Sequence, residues 1–268
     1  MQAKSNRSSQ SSRKRRRFLL WGHWLDVLAV IAWGVMLLQY WFTGKLNLLL
    51  HPDYMWLANV AGIALLTLGG IKGRQLFKAR RNQILQAQLS ELPRHFTLFP
   101  AGLGSGLLLG TAIFGLLFTP RPFASQTALA RGVTDTLVRT RSQPQQFRVN
   151  ARSEDRSVVD WVRTLNVYPE PDAYTGQKVN VQGFVIHPPG LPESHLLISR
   201  FVITCCAADV YPIGLPVKLA VNRSTYPPDT WLQVAGEMIT ETLDNQRQLV
   251  IEASSIEEIS EPKNPYEY

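Results

Sequence analysis

The sequence predicts an α+β membrane protein: three transmembrane helices followed by an all-β, OB-like five-stranded barrel, with a small β-sandwich as the alternative. Three observations predict it. Three long apolar runs fall within the first 120 residues. Charge divides along the same line: residues 1–95 carry 14 Lys and Arg against 3 Asp and Glu, while residues 96–268 carry 14 against 17. From about residue 174 the apolar residues recur with a period of two. The net charge of +8 and the near-zero mean hydropathy average over these two unlike halves.

Residues 1–17 are Ser-rich and end in RKRRR (13–17), a composition that predicts a disordered basic N-terminus. Crossing a hydrocarbon core takes about 20 apolar residues in a helix. The runs at 18–42 and 98–118 reach that length, and the run at 54–71 lies at its short end. The first exceeds a signal peptide's apolar core and is followed by no small-residue cleavage site, so it reads as a retained anchor.

Lys and Arg near span ends set orientation. RKRRR precedes the first span, and Lys72, Arg74, Lys78, Arg80, Arg81 and Arg94 separate the second from the third; the loop between the first two carries only Lys45. The N-terminus is therefore expected in the cytoplasm and residues 119–268 outside it. Arg121, Arg131, Arg139 and Arg141 run against this contrast. Trp21 and Trp24 fall at one interface, Trp41 and Trp56 at the other. Residues 73–92 have helical periodicity with a basic side, as a helix lying on anionic lipid or as an extension of the second span. GLGSG (102–106) places small residues at helical spacing, which suits close helix packing.

Residues 119–172 read as a linker with one short helix. Ser153 is its expected cap; Val158, Val159, Trp161, Val162 and Leu165 form its apolar face; YPEPD (168–172) ends it. The β-domain, 173–262, has strand runs at 177–187, 195–206, 216–221, 230–240 and 247–253, with Gly183 kinking the first. An OB-fold commonly carries a helix between strands three and four, for which NRSTYPPD (222–229) is too short and too proline-rich.

Both cysteines of the chain are adjacent, Cys205 and Cys206, and Asp209 follows. On a regular strand their side chains point to opposite faces; a bend at 205–208 would bring both sulfurs to one side. Three readings stand. Cysteine is often a small buried hydrophobe. A vicinal disulfide is strained, since adjacent Cα atoms lie only about 3.8 Å apart, and so would be redox-labile. Thiolates also bind Zn²⁺ or Cu⁺, with Asp209 as a third donor and His187 or His195 as weaker additions.

YTGQKVNVQGFVIHP with ISRFVITCCAADVYPIGLPV, together with GKLNLLLHPDYMWL (44–57) and TPRPFASQTALARG (119–132), resembles the YcgQ-like bacterial membrane proteins, a domain-of-unknown-function family described as permease subunits. The most specific part is Arg200, Cys205, Cys206, Ala208 and Asp209. The resemblance implies a bacterial plasma membrane location, a larger multi-span permease as partner and a link to metal supply. It leaves the substrate open.

Asp26 and, at i−3, His23 lie inside the first span and can meet on one helix face. They suit an ion path or a partner contact, or hydration near the inner headgroups. His51 stands at the outer end of the second span, where it would face the cysteines or fill the interface. No hydrolase triad, P-loop or Rossmann fingerprint occurs, so no enzyme is expected. Residues 173–268 carry 6 Lys and Arg against 11 Asp and Glu, opposite to a groove that tracks nucleic-acid phosphates. The expected function is an accessory permease subunit that presents the paired thiols to a metal ion. A thiol-redox or metal-sensing membrane protein without a permease is the alternative.

Overall fold

The computed structural model describes residues 3–81, 102–133 and 152–268. The chain forms two compact units, one of Met1–Leu46 with Pro52–Pro120 and one of Asn47–His51 with Arg121–Tyr268.

Among the described residues, the first unit holds three helices: α1 (Ala3–Phe42), α2 (Pro52–Arg81) and α3 (Leu103–Leu117). α1 starts ahead of the apolar run, within the segment expected to be disordered. Among the described residues, two stretches are long and apolar enough to cross a membrane, Gly22–Phe42 and Pro52–Lys78. The second exceeds the expected 54–71. Pro52 opens its helix at the position where a missing N–H costs nothing, Asp53 favours the positive end of the dipole, and the helix continues past Lys72. A core helix would be mostly buried, yet only 28% and 11% of the two apolar windows is covered. α3, with 15 residues, is shorter than the expected third span, whose residues 98–101 lie outside the described ones. So does most of the 73–92 stretch; its first nine residues extend α2.

α2 runs antiparallel to α1, with glycines where the helices meet: a Cβ on Gly69 would stand 2.5 Å from Ile31, and one on Gly62 3.2 Å from Leu38. α3 runs parallel to α1. Ser105 donates to Asp26, Trp33 Nε1 to the Leu108 carbonyl at 2.9 Å, Tyr40 to the Gly115 carbonyl at 2.5 Å, and Lys45 to Thr119 at 3.0 Å. The close approach is at Ala112 and Gly115 rather than at GLGSG. Ala112 is fully buried, while a Cβ on Gly104 or Gly106 would meet nothing within 4 Å. Within that motif Ser105 reaches across, through its hydroxyl.

The second unit is built on a six-stranded sheet: β1 (Lys178–Ile186), β2 (His195–Val202), β3 (Tyr211–Lys218), β4 (Trp231–Leu243), β5 (Gln246–Glu258) and β6 (Tyr266–Glu267). The neighbour order is β1-β4-β5-β3-β2-β6, and a further β1–β2 pairing returns the order to its start. β3–β5 and β2–β6 are parallel and the rest antiparallel. At Gly183 β1 turns from β4 towards β2; a Cβ there would stand 2.6 Å from the Ser199 carbonyl oxygen, so only glycine lets the strands close. Asp244 and Asn245, both with positive φ, close the β4–β5 hairpin.

Among the described residues, two short helices accompany the sheet, α4 (Ser125–Arg131) and α5 (Val158–Val167). α5 buries Val158, Val159, Trp161 and Val162 against the sheet core of Val181, Val185, Ile198, Ile213, Leu232 and Met238, with Leu165 packed beside them. Its cap is Ser157 in a capping box with Asp160, not Ser153. Ser153 opens a separate 3-10 turn, and Arg156 extends the backbone before the helix starts.

Candidate functional site

β2 ends at Val202, four residues before its expected end, and Thr204–Asp209 forms a turn. The third strand in turn begins at Tyr211, so YPIG is strand rather than turn. Its prolines are tolerated because β3 pairs with β5 at Val217 and Lys218, leaving Pro212 and Pro216 on an edge that needs no donor.

The turn is organised by one carboxylate. Asp209 Oδ2 accepts the Cys205 N–H at 2.8 Å and the Thr204 hydroxyl, and Oδ1 accepts the Cys206 N–H at 3.2 Å. The Asp209 N–H donates back to the Cys206 carbonyl at 3.0 Å. Ala207 and Ala208 supply the small side chains of the tip. The bend turns both sulfurs to one side, 3.7 Å apart, as free thiols. Cys205 is exposed and Cys206 half-buried, so neither fills the core. Cys205 Sγ, Cys206 Sγ and an Asp209 oxygen lie within 4.8 Å of one another, an arrangement able to hold a metal ion. With bonds of about 2.3 Å, two sulfurs on one tetrahedral ion stand about 3.8 Å apart, close to the separation seen.

Charge follows from this packing. Burial opposes ionisation of Asp209, but hydrogen bonds from Thr204, Cys205 and Cys206 outweigh it and hold the carboxyl below its usual range. The Cys205 thiol, hydrogen-bonded to Asp209 and then to Cys206, is pushed up to about 11. At neutral pH it therefore keeps its proton until a cation displaces it.

The two histidines offered as further donors stand elsewhere. His195 begins β2, and His187 follows β1 opposite that same end. The seven-residue rise of β2 separates that end from Val202 by about 23 Å. His195 is buried, with Nδ1 3.0 Å from Ser194 Oγ and Nε2 3.4 Å from Glu241. His51 does come to the turn. Its N–H donates to the Cys205 carbonyl at 3.1 Å, the Ala207 N–H donates to the Leu49 carbonyl at 2.9 Å, and Leu50 bridges antiparallel to Cys206. Sequence reasoning had His51 facing the cysteines or filling the interface but gave Asn47–His51 no strand pairing; five residues followed by a proline carry no strand signal of their own.

Arg200 lies below the turn, nearly buried on β2, over the Trp231 ring at 5.0 Å. Its Nε donates to Glu267 at 3.1 Å, and the Glu267 carbonyl accepts the Ile203 N–H at 3.1 Å. Arg200 thus holds β6, and β6 holds the residue that leads into the turn. In the first unit, Asp26 accepts from Ser105, and His23 Nδ1 stands 3.8 Å from Asp26 Oδ2 with both side chains about half exposed.

Residues 140–268 match the DUF1980 C-terminal domain. This is a family of unknown function, and the match covers just under half of the chain. The DUF1980 C-terminal domain takes in α5, all six strands and the whole of the Thr204–Asp209 turn, and it leaves α1–α3 and His51 outside. The chain matches no curated protein.

Proposed function

We propose that the chain is a membrane-anchored accessory subunit of a multi-span permease, presenting Cys205, Cys206 and Asp209 to a soft metal ion on the outer face of a bacterial plasma membrane. The observation that carries this reading is the turn itself: two free sulfurs at tetrahedral spacing beside a carboxylate, one exposed and one half-buried, on a turn hydrogen-bonded to the segment that joins two membrane-length helices.

Topology supports three spans. Backbone cannot pair through a bilayer, so the Asn47–His51 connection and the Cys turn share one side. Between Pro52 and Arg121 the chain must then cross an even number of times, which requires a crossing at α3 as well as α2. α3 follows α1 in parallel from Asp26–Ser105 to Lys45–Thr119; its 15 residues rise about 22 Å against a hydrocarbon core of about 30 Å, and the apolar run that contains it begins earlier in the sequence, at residue 98. The sparse Lys and Arg of the 43–51 loop favour the outside for that side. The ring of neighbours β1-β2-β3-β5-β4-β1, with β3 and β5 parallel, supports an OB-like barrel in which the Arg223–Thr225 turn replaces the customary helix.

Titrating the full-length protein in detergent with Zn²⁺ or Cu⁺ tests the metal half of the proposal. The wild type is expected to bind tightly, and the Cys205→Ser, Cys206→Ser double variant to lose at least a hundredfold in affinity; equal weak binding by both removes it. Purification in mild detergent tests the permease half, with a multi-span partner expected to co-purify. The free, exposed Cys205 favours one second reading, a metal or thiol sensor acting alone, and a clean monomer that still binds metal would select it.

A further inference from the structure

The Thr204–Asp209 turn supplies three donors, one short of the four that a tetrahedral ion takes. The fourth place faces a strand that comes from outside the β-domain's own sequence. Leu50 pairs with Cys206, flanked by the Ala207-to-Leu49 and His51-to-Cys205 hydrogen bonds. That pattern makes Leu50 and Cys206 a non-hydrogen-bonded pair, so the register sets His51 directly opposite Cys205. Directly opposite residues carry their side chains to one face, with Cβ atoms about 4.5–5.5 Å apart. The His51 imidazole rests edge-on against Tyr268, ring centroids 4.8 Å apart, and its nitrogens stand outside the 4.8 Å donor cluster.

From this register we infer that His51 is the fourth ligand of a zinc-class divalent cation held by Cys205, Cys206 and Asp209, so that the bound ion straps the α1–α2 connection to the Cys turn. The inference rests on the metal-binding reading above. Binding releases the two thiol protons to solvent, and neutral His51 donates a ring nitrogen after leaving its contact with Tyr268. The donor set is two sulfurs, one nitrogen and one oxygen, which suits Zn²⁺ over Mg²⁺ or Ca²⁺. Because His51 is covalently next to Pro52, the first residue of α2, occupancy of the site is felt directly at the start of a membrane-length helix.

The test uses the full-length protein in detergent, with Co²⁺ as the spectroscopic probe and a Zn²⁺ competition titration for affinity. The wild type is expected to give the intense visible bands of four-coordinate Co²⁺ and a thiolate charge-transfer band. His51→Gln keeps the backbone pairing. It should retain the charge-transfer band, lose most of the visible intensity and weaken Zn²⁺ by tenfold or more. His51→Cys, which restores a soft donor, should recover both. If His51→Gln keeps the wild-type spectrum and binds Zn²⁺ within twofold of wild type, while the double cysteine variant does not bind, the strap is refuted and the three-donor site survives. If the double cysteine variant binds as well as wild type, the metal reading fails and the strap with it.

Discussion

The Asp209 carboxylate takes hydrogen bonds from a hydroxyl and two consecutive amides within five residues, and this is what brings two adjacent side chains to the same side. Its role is that of a helix N-cap without a helix, worth about 1–2 kcal/mol by analogy with such caps. Asp209→Ala is therefore expected to lower the stability of the metal-free protein by about that much, with amide exchange at Cys205 and Cys206 accelerating far more than in the neighbouring strands. Asp209→Asn, which keeps one oxygen acceptor, should recover part of the protection. Unchanged exchange at those two amides in the Ala variant would mean the turn is held by something else. The ingredients were visible in the sequence: Thr204 and Asp209 bracket two cysteines and two alanines. What a strand-by-strand reading could not supply was where β2 ends. That depends on Ile203 giving its N–H to Glu267, 64 residues away in the chain.

Among the elements, β6 is the shortest and was not legible at all, because two residues have no period. Yet Arg200 and Glu267 form a nearly buried pair that fixes it on β2. Burial raises the Glu267 carboxyl above its usual value despite the opposing charge of Arg200, and burial likewise lowers Arg200. A carboxyl whose pKa is higher folded than unfolded binds protons more tightly in the native state. Its contribution to stability is thus greatest below about pH 4.5 and declines as pH rises through the folded pKa. Glu267→Gln removes that ionisation and strands a buried guanidinium. Expected outcomes are a loss of about 3–5 kcal/mol at neutral pH and a flatter stability profile across the mildly acidic range, read by denaturant unfolding at a series of pH values. A profile as steep as the wild type's would assign the slope to another group. The long elements fared better in the sequence. α5, β1, β2, β4 and β5 form at the runs the sequence marks, although β2 is buried along its whole length instead of alternating; β3 was shortened on paper by prolines, which are accommodated because its pairing with β5 is confined to Val217 and Lys218.

At the scale of the whole molecule, the division into a basic apolar half and an acidic alternating half was plain from composition, and the two compact units follow it closely. The exception is Asn47–His51, which belongs to the β-domain although it lies between two helices of the other unit. No local signal marks it, since its strand exists only against the Cys turn. That exception has a consequence for membrane topology that can be checked in intact cells. If three helices cross, Cys205 and the α1–α2 connection face the same compartment, which is the outer one in the proposed orientation. A membrane-impermeant maleimide should then label wild-type Cys205. It should equally label Thr43→Cys in a Cys205→Ser, Cys206→Ser background, since Thr43 is exposed just beyond α1. If only two helices cross, the two positions fall on opposite sides and just one of them labels before the membrane is permeabilised. That outcome would also require the backbone pairing between Leu50 and Cys206 to be absent in the membrane, and it would remove both the proposed outer metal site and the proposed His51 strap.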